Sequence, residues 1–260
     1  MILDEIVRYK REFVREQKAR IPLSEIRKAV EKAPPPGDFL TALQAPPGEV
    51  RIIAEVKKAS PSKGVIREDF EPVKIARRYE ECGAAAVSVL TDEKYFQGSL
   101  DFLRRIRREV DLPLLRKEFI IDEYQIFESR AAGADAVLLI AAILEDSRLS
   151  SFYRLSRDLN MSALVEVHTK EEWERVKKIS PRILGVNNRN LKDFTVDLSQ
   201  TFHLRKEIPL KIVMVSESGI RTPEDLRLLS EHRIQAALIG ETLMRAGDPG
   251  VALQTLISFH

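Results

Sequence analysis

From position 51 onward the chain repeats one pattern: a short apolar run, a polar loop, then a longer segment whose apolar residues recur every three or four positions. The runs fall at 52–56, 86–90, 113–115, 136–140, 163–167, 183–186, 212–215 and 236–239. The segments between and after them, at 73–81, 100–110, 123–132, 149–159, 171–179, 198–206, 223–230 and 251–257, carry helical spacing. Strands that alternate with single helices form parallel sheets through right-handed crossovers. Eight such units in roughly 210 residues, with no linker between them, predict one (β/α)8 TIM barrel rather than two doubly wound domains. Gly83 and Gly133 each stand between a helix and a strand as left-handed caps would, and Thr222-Pro-Glu-Asp supplies an N-cap, a first-turn proline and two early acids.

Ahead of the barrel, Ile2, Leu3, Ile6, Val7, Phe13 and Val14 recur at helical spacing among charges, which predicts an amphipathic helix over 2–19. A second helix is expected from Ser24 as N-cap, ended by Ala33-Pro-Pro-Pro-Gly37, with 39–48 as a loop. The expected organisation is a single domain, 1–260, with an N-terminal helical extension over 1–49 and the barrel over 50–260.

Composition narrows the partners. Forty-two basic against 40 acidic residues leave a net charge of +2, too little field to gather a polyanion, so neither nucleic acid nor an anionic membrane is expected as a partner. A small anionic ligand held by local groups fits better. Cys82 is the lone cysteine, placed at a helix end where a core role is the ordinary one. No apolar run approaches the ~18 residues needed to span a bilayer, and the expected location is cytoplasmic. The chain is expected to be a monomer or weak homo-oligomer.

In such a barrel the working groups gather at the C-terminal strand ends. Strand one closes on Glu55 and Lys57, two apart and so on one face. Arg116-Lys117-Glu118-Phe119 follows strand three, Glu166 and His168 end strand five, Asn187 and Arg189 strand six, Glu217 strand seven and Glu241 strand eight. Ser218-Gly219 and Gly240-Glu241 offer backbone N–H groups beside a glycine, as a phosphate site would, although tight turns needing positive φ would also explain the glycines. His168 is read as structural, and His203, His232 and His260 fall on helices or the terminus. No His-rich metal cluster and no nucleotide-binding glycine motif is present in the sequence, so lysines and glutamates are left to move protons.

These residues carry a family resemblance. Ile53-Ala-Glu-Val-Lys-Lys-Ala-Ser-Pro-Ser-Lys-Gly64 resembles the signature of the indole-3-glycerol-phosphate synthases of tryptophan biosynthesis. So do Leu90-Thr-Asp-Glu-Lys-Tyr-Phe-Gln-Gly98, Leu115-Arg-Lys-Glu-Phe-Ile-Ile-Asp122, Leu164-Val-Glu-Val-His168, Gly185-Val-Asn-Asn-Arg-Asn-Leu191 and Ser216-Glu-Ser-Gly-Ile220. The match runs from the first helix to Leu243-Met244. It implies a cofactor-free, metal-free barrel, its N-terminal extension helping to cover the mouth. The implied reaction converts 1-(2-carboxyphenylamino)-1-deoxyribulose 5-phosphate to indole-3-glycerol phosphate by ring closure, decarboxylation and dehydration. By motif position Lys117 resembles the general acid, and Glu166 the group that manages the loss of water. Glu55, Lys57, Asn187 and Glu217 complete the polar shell. The resemblance further implies that Lys57, Ser60, Ser218, Gly219, Gly240 and the backbone of Glu241 hold phosphate. Arg189 would meet the anthranilate carboxylate, with Phe96, Phe119 and Leu191 as walls for the aromatic ring. Glu241 departs from the serine of several relatives, so its side chain is expected to turn away from the phosphate. Two other readings of the same residues are a Schiff-base aldolase using Lys57 or Lys117, and a non-catalytic phosphate-binding barrel.

Overall fold

The computed structural model describes residues 2–190 and 193–258. Leu191 and His260 therefore lie outside the described residues. Eight parallel strands close into a barrel: β1 (Arg51–Val56), β2 (Ala86–Leu90), β3 (Leu114–Lys117), β4 (Ala136–Ile140), β5 (Ser162–Val167), β6 (Ile183–Asn187), β7 (Val213–Glu217) and β8 (Ala236–Ile239). Each strand pairs with its sequence neighbours, and β1 closes the ring by pairing Ile53 with Ala86 on one side and Arg51 with Ala236 on the other. This is the predicted architecture. Three strands run on past their apolar runs, to Lys117, Asn187 and Glu217, because a polar residue on the inward phase at the mouth end costs the core nothing.

Strand phase decides what faces the barrel axis. Ile52, Ala54 and Val56 pack outward against the helices, whereas Ile53 packs inward with Ala86, Leu115, Ala136, Leu138, Leu164, Ile183, Val213, Val215, Ala236 and Leu238. Continuing each inward phase to the C-terminal end reaches Glu55, Lys117, Glu166, Asn187, Glu217 and Gly240. The site is thus a consequence of alternation on strands whose lower halves are apolar.

Helices α1 (Ile2–Arg20), α2 (Leu23–Lys32) and α3 (Phe39–Leu43) precede the barrel, and α4 (Pro72–Glu81), α5 (Glu93–Phe96), α6 (Leu100–Arg107) and α7 (Glu123–Ala131) follow β1 to β3. The remaining helices are α8 (Asp146–Asp158), α9 (Lys170–Val176), α10 (Ser199–Arg205), α11 (Pro223–Glu231), α12 (Glu241–Arg245) and α13 (Pro249–Ile257). Gly83 and Gly133 take φ of +90° and +92°, and Thr222 caps α11 in a reciprocal box with Asp225, as the sequence predicts.

Three local expectations are corrected. Segment 39–48 is not all loop: Asp38 caps α3 by accepting the Thr41 N–H at 3.0 Å, and Phe39, Leu40 and Leu43 plug the lower end of the barrel against Ile53 and Leu115. The segment after Lys57 is not merely a loop, since Ala59–Ser60 pairs antiparallel with Gly64–Val65 in a small hairpin. Ser24 does not cap α2, which begins at Leu23 after Pro22. All three involve elements of two to five residues, or a helix end, where tertiary contact outweighs local propensity.

The extension is fastened to the barrel flank. Val14 and Ile26 bury against Tyr124 and Phe127 of α7, and the Tyr124 hydroxyl donates to the Ile21 carbonyl at 3.1 Å. Lower down, the Gly37 N–H donates to Asp135 Oδ1 at 2.6 Å, while Asp135 Oδ2 takes Arg107 at 2.9 Å and the Leu114 N–H at 2.6 Å. Cys82 is buried, as expected of a core thiol.

Candidate active site

A cavity of about 670 Å³ opens at the C-terminal end of the barrel, floored by Leu138, Ile140 and Leu238 and partly roofed by Ile2, Leu3 and Ile6 of α1. Every site residue named from the sequence that lies among the described residues borders it or its turns. The roof residues were assigned no role from the sequence, because they look like any apolar face of an amphipathic helix.

Two ion clusters divide the cavity. At its centre the Lys117 ammonium sits 2.6 Å from Glu217 Oε2 and 3.7 Å from Glu166 Oε2, while Asn187 Nδ2 donates to Glu166 Oε1 at 3.3 Å. Strand register produces this grouping, since Asn187 lies level with Glu217, and Glu166 level with Gly185. Toward one side, Lys57 Nζ lies 2.7 Å from Glu55 Oε2. Burial works against the Lys117 charge, but the carboxylates of Glu217, Glu166 and Glu55 outweigh it and hold its pKa above the ordinary lysine range. Burial likewise opposes ionisation of Glu55, yet Lys57 and Lys117 bring its pKa below the ordinary value. Glu217 behaves oppositely: burial, aided by Glu166 and Glu55, prevails over Lys117 and pushes its pKa up to about 7. Near neutrality Glu217 therefore passes between acid and carboxylate while Lys117 stays charged.

That shift has a measurable consequence for folding. The folded chain keeps a proton on Glu217 that the unfolded chain releases near pH 4.5. Its contribution is full below that range and is lost as pH rises through about 7. The stability of the native chain relative to Glu217→Gln should accordingly shrink between about pH 5 and pH 8 in urea titrations. A difference constant with pH would contradict the assignment.

Two glycines make room for these acids. A Cβ on Gly185 would stand 2.1 Å from Glu217 Oε1, and one on Gly240 would stand 2.2 Å from Glu55 Oε2. Positive φ explains Gly219 (+90°), which follows Ser218 at +68°, but not Gly240, where the reason is space for the Glu55–Lys57 pair. Asn188 holds the Ser218 turn by donating to Ser216 Oγ and to the carbonyls of Glu217 and Ser218, and the Thr242 hydroxyl ties the following loop to the Ile220 carbonyl at 2.7 Å. The turn and the first residues of α12 thus form two neighbouring sets of backbone donors on one side of the mouth. Ser60, in the hairpin, lines the same cavity.

The Glu241 carboxylate lies 3.0 Å from Arg245 Nε and 3.7 Å from Arg189 Nη2, and Arg245, helped by Lys63 and Lys57, holds its pKa below the ordinary value against partial burial. Arg189 is also pinned through its backbone N–H to Asn187 Oδ1. On the opposite wall the rings of Phe96 and Phe119 lie 6.0 Å apart at 42°. His168, read as structural from the sequence, is part of the cluster. Its Nε2 is 3.5 Å from Glu166 Oε1 and its Nδ1 3.5 Å from Glu172 Oε2, and these carboxylates outweigh burial to raise its pKa. The readable signal was Glu166 two residues before it on the same strand face and Glu172 four residues after it. No group of three or more His, Cys, Asp and Glu side chains placed to hold a metal occurs among the described residues.

An eight-stranded parallel barrel with a polar, lysine-centred mouth beside backbone anion donors defines a (β/α)8 enzyme of small phosphorylated substrates. The comparisons agree and go further. The family model for indole-3-glycerol phosphate synthase matches residues 3–256, and the chain belongs to that family. It is 51% identical to the indole-3-glycerol phosphate synthase of Trichodesmium erythraeum over 99% of this chain and 89% of the relative. It is 52% identical to that of Desulfotalea psychrophila over 98% of each. Among solved structures, the N-acetylmannosamine-6-phosphate 2-epimerase of Clostridium perfringens aligns over 79% of this chain and 90% of that one, with a TM-score of 0.61 at 15% identity, a likeness of fold alone. The activity is the decarboxylating ring closure of tryptophan biosynthesis, and the enzyme is a carbon–carbon lyase. No helix among the described residues is long and apolar enough to cross a membrane.

Proposed function

We propose that the reaction is divided between the two ion clusters, with Lys117 and Glu166 moving protons while the Lys57 side of the mouth holds the phosphate. The observation that supports this most directly is the Lys117 ammonium fixed between Glu217 at 2.6 Å and Glu166 at 3.7 Å, inside a mouth whose anion donors lie to one side. In the first step the ring carbon bearing the carboxylate attacks the ketone carbon, and Lys117 gives its proton to the ketone oxygen. The bond to the carboxyl group then breaks, and its electron pair restores the aromatic ring as CO2 leaves. Finally the new hydroxyl departs as water while a proton is lost from the carbon next to nitrogen, with Glu166 as the group that handles these transfers and Asn187 orienting it. Glu217, poised near neutrality, tunes Lys117 and returns its proton.

Phosphate is assigned to Lys57, Ser60, the Ser218-Gly219 turn, Gly240 and the backbone N–H of Glu241. The Glu241 carboxylate, engaged by Arg245 and Arg189, is kept from repelling it. Glu55 holds the Lys57 side chain in place through their 2.7 Å ion pair. Arg189 is assigned to the substrate carboxylate, exchanging Glu241 for it, and Phe96 with Phe119 to the aromatic ring. Extension and barrel are read as one domain, and the buried free thiol of Cys82 suits a cytoplasmic protein acting as a monomer or weak homo-oligomer.

Glu166→Gln keeps the size of the side chain and its hydrogen bonding but removes the base. Its kcat should fall about a hundredfold, within the span ordinary for losing one acid–base group. Inhibition by inorganic phosphate should stay within twofold, read by indole fluorescence. Turnover near the native value would remove Glu166 from its role.

A further inference from the structure

We infer that Lys10, on the N-terminal helix, is a positioning residue that joins the β2 and β3 loops and so sets the spacing of the Phe96 and Phe119 rings. Its side chain is 1% exposed, and its ammonium lies 2.8 Å from Asp92 Oδ2 and 2.9 Å from Glu118 Oε1. Each carboxylate also governs the backbone that carries one ring. Asp92 Oδ1 accepts the Tyr95 N–H at 2.7 Å and starts α5, the single turn that ends in Phe96. Glu118 Oε1 accepts the Phe119 N–H at 2.8 Å, and its Oε2 takes the Thr91 hydroxyl at 2.9 Å. One cation thus spans the two loops whose rings stand 6.0 Å apart.

Buried ion pairs are poor sources of net stability, because desolvation cancels most of the attraction, so retaining one here points to geometry rather than to folding energy. The second half of the observation is that α1 grips α5 independently. Tyr9 packs edge-on to Tyr95 at 5.9 Å, and the Tyr95 hydroxyl donates to Glu5 at 3.0 Å. The extension therefore roofs the cavity through Ile2, Leu3 and Ile6 and also tunes one wall of it. The phosphate side shares no hydrogen bond or ion pair with this cluster among those described.

The inference rests on the reading of Phe96 and Phe119 as walls for the aromatic ring, and the test separates the two. Lys10→Met with Asp92→Asn removes one charge of each sign, leaves Asn to cap α5 and leaves Glu118 its bonds to Thr91 and Phe119. Its KM for the phosphorylated anthranilate substrate should rise at least about tenfold, with kcat within about threefold of native and phosphate inhibition within about twofold. Asp92→Asn alone, in which Lys10 keeps Glu118, should show the same order of effects at about threefold in KM and guards against a double variant that does not fold. Phe119→Ala should raise KM as well. If Phe119→Ala raises KM while a folded Lys10 variant keeps the native value, the inference about Lys10 is wrong. An unchanged KM in Phe119→Ala overturns the wall reading, and phosphate inhibition that weakens as much as KM rises shows general distortion and overturns the inference too.

Discussion

Lys117→Met should lose about a thousandfold in kcat, equivalent to ~4 kcal/mol of transition-state stabilisation, while still binding the phosphorylated substrate. The expectation follows from what the ammonium touches. It is half-buried, it is held charged by three carboxylates, and it stands at the centre of a cavity whose phosphate donors lie to one side. Methionine fills much the same volume, so the packing of Leu115 beneath it and of the neighbouring strands persists. Removing the cation leaves Glu217 and Glu166 facing one another, and the already raised Glu217 will take up a proton to relieve that repulsion. The variant is therefore expected to fold, and to keep its affinity for inorganic phosphate within about threefold in a competition measurement. Turnover within tenfold of native would show that Lys117 is not the acid.

Gly185→Ala should be nearly as damaging, although residue 185 has no functional group. The added methyl would meet Glu217 Oε1 at 2.1 Å and Leu164 Cδ1 at 3.3 Å. The strand backbone is hydrogen-bonded on both sides, so the carboxyl must move instead, and it must leave the Lys117 ammonium to do so. We expect kcat to fall about a hundredfold and stability to drop by about 1–3 kcal/mol, the usual cost of overpacking. Gly185→Ala with Glu217→Asp should recover most of the stability, because the shorter acid clears the methyl, but little of the turnover, because it no longer reaches Lys117. Native kcat and melting temperature in the single variant would mean that Glu217 has room elsewhere and that its seat is unimportant.

The barrel was legible because its signal is redundant. Eight apolar runs each carry the same alternation, and errors of one to three residues at their ends leave the inward phase unchanged, so Glu55, Lys117, Glu166, Asn187 and Glu217 converge whatever the exact boundaries. Residues fixed by tertiary contact were not legible. Plug helix α3 and helix α5 have five and four residues, too few to show a period. Lys10 looks like one more charge among 42 basic residues, since nothing local distinguishes a buried cation from a solvated one. Gly240 reads in sequence as a turn glycine, whereas its reason is a carboxylate from β1, some 185 positions away in the chain and adjacent only through closure of the barrel. Alternation therefore identified the ring of working groups, and the closed sheet supplied what gives each of them its room and its charge.

The division of labour between Lys117 and Glu166 is tested most directly by quenching single turnovers and weighing what accumulates. Lys117→Met should leave unchanged substrate, because ring closure cannot begin without the acid. Glu166→Gln should instead accumulate a ring-closed species that has lost CO2 and remains heavier than the product by one water. Unchanged substrate in both variants, or the reverse pattern, would contradict the assignment of the first proton transfer to Lys117 and the last to Glu166.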